Sequence, residues 1–129
     1  MSWHSRTIDG ISSRLSFLRN SVIINTNHGS RAGSDIEIFI TIKGEQRRIN
    51  IEIQQFDSGA PWRRTTIPSW QNRHDLATLI VFPEPTLERV LNPRNNNNLA
   101  YQFFRQRDVY LFHDKQLEDV VSLIIKLCL

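Results

Sequence analysis

The sequence predicts an α/β domain with a central mixed β-sheet flanked by helices. Three observations carry this expectation. Isoleucines stand at every second position in two neighbouring runs, Ile36–Ile38–Ile40–Ile42 and Ile49–Ile51–Ile53, which is the period of half-buried strands. Apolar residues recur at spacings of three and four near both ends of the chain, which is the period of a helix. Short apolar runs lie between, so helices and strands interleave around one sheet. The isoleucine runs form a hairpin, so part of that sheet is antiparallel and the whole is mixed.

In chain order, Thr7–Arg19 is expected as a helix, with Ile8, Ile11, Leu15 and Leu18 on one face and Thr7 as N-cap. Val22–Ile24 reads as a short buried strand. The polar, glycine-bearing stretch Asn27–Ser34 reads as a loop. The isoleucine hairpin follows, with Lys43–Arg47 as its turn. Asp57–Asp75 is expected to be an ordered loop, with a short helix from Ser69. Leu76–Phe82 reads as a buried strand ended by Pro83 and Pro85, and Thr86–Leu91 as a short helix. Asn92–Asn98 is a loop, after which helix resumes over Leu99–Arg105. Val109–Phe112 is a last short buried strand. Lys115–Leu127 closes the chain as an amphipathic helix, with Leu117, Val120, Val121, Ile124, Ile125 and Leu127 on one side and Asp114 as its cap. This helix reads either as a plain core element or as one that also buries a dimer surface.

At 129 residues the chain is expected to be one domain, residues 1–129. A hydrophobic share of 40% with 22% charged residues is that of a globular chain, which argues against wholesale disorder. No apolar run approaches the roughly 20 residues that span a bilayer, and no apolar stretch follows Met1–Arg6 as a secretory leader would require. The one cysteine, Cys128, has no partner for an internal disulfide, and an intracellular location is the expectation. The net charge of +3 permits a polyanionic partner. Arginine outnumbers lysine 13 to 3, which favours a partner bearing phosphates, although base-rich coding would give the same bias.

The hairpin also has a chemical face. With the isoleucines turned into the core, Asp35 and Glu37 on one strand and Glu52 and Gln54 on the other turn away from it. Adjacent strands lie about 5 Å apart, so three carboxylates are expected to converge on one patch. Either this face is open to solvent, where charges cost little, or a hard divalent cation sits among them.

An acid at a strand start, a hairpin, and then the apolar strand Ile51-Glu52-Ile53-Gln54 resembles the PD-(D/E)XK nuclease superfamily. The stretch Gly29–Asp35 is similar to the loop of small archaeal Holliday-junction resolvases. The resemblance covers roughly residues 7–82 together with the final strand and helix. It implies a restriction-endonuclease-like three-layer domain and a metal-dependent endonuclease acting on nucleic acid, DNA in the first place. It further implies that Asp35 and Glu52 hold Mg²⁺ or Mn²⁺ with the carbonyl of Ile53, that Glu37 and Asp9 are optional acids, and that Gln54 positions the attacking water. Three positions depart from the pattern. Ser34 precedes Asp35 where proline is frequent, Gln54 stands where lysine is usual, and Asp9 stands where the first helix usually carries Glu. Gln54 lends no positive charge to a transition state.

The segment Ala60–His74 mixes Arg63, Arg64 and Arg73 with Trp62 and Trp70. Arginines neutralise phosphates and tryptophans stack on unpaired bases, although a loop pinned by buried tryptophans would look the same. With His28, Ser30 and Arg31 of the glycine-bearing loop, these residues are the expected nucleic-acid contacts. His28 reads either as a phosphate contact or as an ordinary loop residue. His4, His74 and His113 show no recognisable partners in the sequence, and no P-loop, GxGxxG or nucleophile elbow is present. No membrane partner is expected, and a homodimer accords with junction-cleaving members of the superfamily. The competing expectation is a non-catalytic protein that retains the nuclease fold: an immunity protein, an inhibitor, a structural subunit or a nucleic-acid binder without cleavage.

Overall fold

The computed structural model describes residues 2–18, 20–27, 35–54, 78–92, 104, 106 and 108–128. Five strands form one sheet: β1 (Ile23–Thr26), β2 (Ile36–Ile42), β3 (Glu45–Ile53), β4 (Leu79–Phe82) and β5 (Tyr110–His113), in the spatial order β1-β2-β3-β4-β5. β2 runs antiparallel to both of its neighbours, β1 and β3, while β3, β4 and β5 run parallel to one another. The sheet is thus mixed, as the interleaved pattern predicts, and β3 is the strand at which direction switches.

The hairpin turn is tighter than the sequence suggests. Lys43 and Gly44 alone form it, with φ of 52° and 82°, and β3 starts at Glu45 rather than at Ile49. Positive φ at both central residues is the signature of the two-residue turn whose twist matches that of the strands it joins. Glycine takes that conformation without strain. The register pairs Ile36 with Ile51 and Ile38 with Ile49, so the two isoleucine rows face the same way, as expected.

Both rows enter one core. Ile36, Ile38, Ile40, Ile49, Ile51 and Ile53, with Leu79 and Val81 of β4, pack against two helices, α1 (Trp3–Arg14) and α3 (Leu117–Cys128). Ile8, Ile11 and Leu15 come from α1, and Val120, Val121 and Ile124 from α3. The opposite face carries a smaller core at β4. There Ile80 and Phe82 meet Leu87 and Val90 of α2 (Glu84–Val90) and Phe104, whose ring stands edge-on to that of Phe82 at 6.2 Å between centroids. Helices therefore lie on both faces of the sheet.

Several local expectations are corrected. α1 starts at Trp3, not Thr7, because the Ser2 hydroxyl oxygen accepts the Ser5 N–H; the Thr7 hydroxyl instead donates to the Trp3 carbonyl. The helix gives way after Arg14 to a short 3-10 turn, Ser16–Leu18. β1 begins one residue after Val22 and is an exposed edge rather than a buried strand, with Ile23 61% exposed. β5 is the other edge and only half-buried. Pro83 and Pro85 do more than end β4. Pro83 is the N-cap of α2 and Pro85 lies in its first turn, where a missing N–H leaves no helix bond unmade. Asp114 does not cap α3, because its carboxylate is bonded elsewhere. The expected loop Asp57–Asp75 with its helix from Ser69, the asparagine run 95–98 and most of the helix over Leu99–Arg105 lie outside the described residues.

A candidate active site at the carboxyl edge of the sheet

Because β3, β4 and β5 run in parallel, their carboxyl ends share one edge of the sheet, and the start of the antiparallel β2 joins them there. In open α/β sheets, this is the edge at which ligands are bound where strand direction or order switches. Asp35 stands immediately before β2, Ile53 ends β3 and Gln54 follows it. Asp35 precedes the last β2–β3 pair, Ile36 with Ile51, by one residue, and Glu52 follows it by one. The two acids are thus brought to neighbouring positions across the hairpin.

The Asp35 carboxylate finishes the ladder between these strands. Its Oδ2 accepts the Ile53 N–H at 2.7 Å, and its own backbone carbonyl accepts the Asn27 N–H at 2.8 Å. Oδ1 lies 3.0 Å from His4 Nε2, which is in donating distance and comes from the first turn of α1. The side chain is only 13% exposed. An ionised carboxylate offers about four lone-pair directions, so two bonds leave capacity for a further partner. Glu52 is more deeply placed, at 5% exposure, on the face opposite the isoleucine core and in register with Ile80 of β4. A carboxylate so far from water is costly unless it is paired, and Glu52 has a polar partner of its own.

Glu37 does not join them. It pairs with Asn50 in the register, and its carboxylate lies 3.4 Å from Arg48 Nη1. Asp9 is exposed on α1. Among the described residues, no three His, Cys, Asp or Glu side chains gather closely enough to hold a metal. The expected convergence of three carboxylates on one patch is therefore not found there: Glu37 turns to Arg48, and Asp35 folds back onto the Ile53 N–H. The acids that remain together in the fold, Asp35 and Glu52, fit a hard divalent ion in kind. They are two little-exposed oxygen donors, and magnesium is commonly held by one or two carboxylates with water and phosphate completing its shell. Gln54 follows at the end of β3, where its backbone N–H donates to the Val81 carbonyl at 2.9 Å and fixes the strand end beside β4.

Three further residues shape this edge, and their part in it was not apparent in the sequence. His4 faces Asp35 from α1. Trp3 donates its indole N–H to Asp114 Oδ2 at 3.0 Å, across 111 residues of chain. Asp114 Oδ1 also accepts the Glu84 N–H at the start of α2, at 3.2 Å. One carboxylate thus ties the beginnings of α1 and α2 to the end of β5. Beside it, Lys115 Nζ lies 3.0 Å from Glu84 Oε2, and this pairing raises the Lys115 pKa above its ordinary value. The only sequence signal for these residues was the presence of polar side chains at element ends. The expected nucleic-acid contacts His28, Ser30, Arg31, Trp62, Arg63, Arg64, Trp70 and Arg73 all lie outside the described residues. Among the described residues, no helix is long and apolar enough to cross a membrane. In comparisons with protein-family models, with curated proteins and with solved structures, none matches the chain.

Proposed function

We propose that the chain is a metal-dependent endonuclease of restriction-endonuclease-like fold that hydrolyses phosphodiester bonds in nucleic acid, DNA in the first place. The observation that carries this reading is the placement of Asp35 and Glu52 on either side of the last β2–β3 pair, at the carboxyl edge of a mixed sheet. The resemblance of the hairpin sequence to the PD-(D/E)XK superfamily also supports it. Asp35 and Glu52 would hold Mg²⁺ or Mn²⁺; such an ion makes water a better nucleophile at neutral pH and neutralises charge gathering on phosphate. The chain supplies positioning. The Ile53 N–H and His4 fix the orientation of the Asp35 carboxylate, and Gln54, at the end of β3, offers an uncharged amide to orient a water.

A second reading has an observation in its favour. Both oxygens of Asp35 already have a protein partner, and no third acid joins the site among the described residues. These features suit a protein that retains the nuclease fold and binds nucleic acid or another partner without cutting.

Cleavage separates the two. The panel is duplex, branched and single-stranded DNA together with RNA, each incubated with Mg²⁺, Mn²⁺ or EDTA, with Asp35→Ala and Glu52→Ala alongside. The nuclease cuts at least one substrate in metal only, and both variants lose that cutting. A non-cutting wild type whose variants bind the panel just as it does is the second protein.

A further inference from the structure

We propose that Asn50 is a further residue of this site, its side-chain amide oxygen supplying an oxygen ligand beside Glu52 to the bound divalent cation. The inference rests on the reading of Asp35 and Glu52 as cation ligands and adds a residue that the nuclease motif does not contain.

Asn50 is 5% exposed, and its Oδ1 is a buried side-chain polar atom with no hydrogen-bond partner among the described residues. Folded proteins seldom leave such an atom unpaired, and where one persists an ion, a water or a function usually accounts for it. The backbone of Asn50 is already satisfied. Its N–H donates to the Thr78 hydroxyl at 3.3 Å and its carbonyl accepts the Thr78 N–H at 2.8 Å. Only the side chain is left wanting.

The direction of that side chain follows from the strand. Ile49 and Ile51 on either side are in the main core, so Asn50 turns to the opposite face, the one that Glu52 occupies two residues on. Across the hairpin it pairs with Glu37. Its neighbours along the strand and across the hairpin on this face, Glu52 and Glu37, are carboxylates, which when ionised accept and cannot donate, and the Thr78 hydroxyl that accepts the Asn50 N–H makes no bond to Oδ1. Arg48, the nearby cation, is turned to Glu37. A buried amide oxygen that no donor reaches is open to a cation, and amide carbonyls and carboxylates are the ligands that hard divalent ions take. Residue choice points the same way. Asparagine is poorly suited to strands, yet here it lies between two isoleucines in the middle of the sheet, where valine or isoleucine would serve the fold better. Such a local conflict with the fold is expected at functional positions.

The test is a titration of Mn²⁺ alone, without nucleic acid, into wild type, Asn50→Leu, Asn50→Asp and Glu52→Gln, read by calorimetry and by the rise in melting temperature. Asn50→Leu has nearly the same volume and no oxygen. It should bind Mn²⁺ about ten- to a hundredfold more weakly and lose most of the metal-induced rise, while melting in EDTA no lower than wild type. Asn50→Asp keeps an oxygen and should bind at least as tightly as wild type; this arm decides the matter if the leucine variant does not fold. Loss of binding in Glu52→Gln together with wild-type affinity in Asn50→Leu would overturn the role of Asn50 and leave the Asp35–Glu52 site standing. Weaker binding by Asn50→Asp would also overturn it. Absence of Mn²⁺ uptake by the wild type would overturn the cation reading of Asp35 and Glu52 themselves, and the role of Asn50 with it.

Discussion

In the proposed nuclease Asp35 would serve both stability and chemistry, and the two can be separated by choice of substitution. Its carboxylate accepts the Ile53 N–H and faces His4. Asp35→Ala leaves that N–H without its acceptor, which costs about 1–3 kcal/mol. Asp35→Asn keeps an acceptor in place, so chemical denaturation should show a clearly smaller loss for it than for the alanine variant. Any loss of activity in Asp35→Asn is then a statement about chemistry rather than folding. At the far end of the chain, burial raises the pKa of the Cys128 thiol above its ordinary value. The thiolate is the reactive form, so alkylation by iodoacetamide at pH 8 should be slower in the folded protein than in denaturant. The native state favours the protonated thiol. Its contribution to stability is therefore present at neutral pH and is lost as pH rises through the native pKa. Asp35 and Glu52 were legible in the sequence because strand alternation alone places them off the isoleucine face. His4 and Asn50 were not: the first needs the tertiary approach of α1, and the second is conspicuous only once its burial and its lack of a partner among the described residues are known.

Elements were predicted well where one period dominates and less well at their ends. The hairpin was legible because seven isoleucines at alternate positions admit one register face. Its turn was misjudged because Glu45–Arg48 are polar and exposed yet remain in the ladder, paired with Phe39–Ile42. Gly44 holds that turn. A Cβ there would meet nothing within 4 Å, so the cost of Gly44→Ala is purely that of a positive φ, about 1 kcal/mol, measurable by chemical denaturation. The start of α1 was missed because Ser2 caps it ahead of any apolar residue of the core stripe. That early start has a consequence, since it brings Trp3 and His4 to the carboxyl edge of the sheet. Asp114 receives Trp3 and the first N–H of α2 together. Asp114→Ala should thus lower stability by about 1–3 kcal/mol, and hydrogen exchange should rise in the first turns of both α1 and α2 rather than in one alone.

At the scale of the molecule, the order β1-β2-β3-β4-β5 makes β3 both the partner of an antiparallel hairpin and the first of three parallel strands. This arrangement gathers the start of β2 and the ends of β3, β4 and β5 at one edge, and gives two acids distant in sequence a common location. The mixed α/β character was legible from interleaved periodicities. The edge at which the polar residues meet was not, because it depends on strand direction, and direction follows from crossovers that local pattern does not reveal. The central claim is that Asp35 and Glu52 make this edge a phosphodiester-cleaving centre. Its most direct measurement is the rate of nucleic-acid cleavage with Mg²⁺ and with EDTA by wild type, Asp35→Asn and Glu52→Gln, each first shown to melt cooperatively. The account predicts cutting by the wild type in Mg²⁺ only, and a loss of about a hundredfold or more in each variant. Cutting that survives EDTA or both substitutions, or a folded wild type that cuts no substrate in either metal, would contradict it.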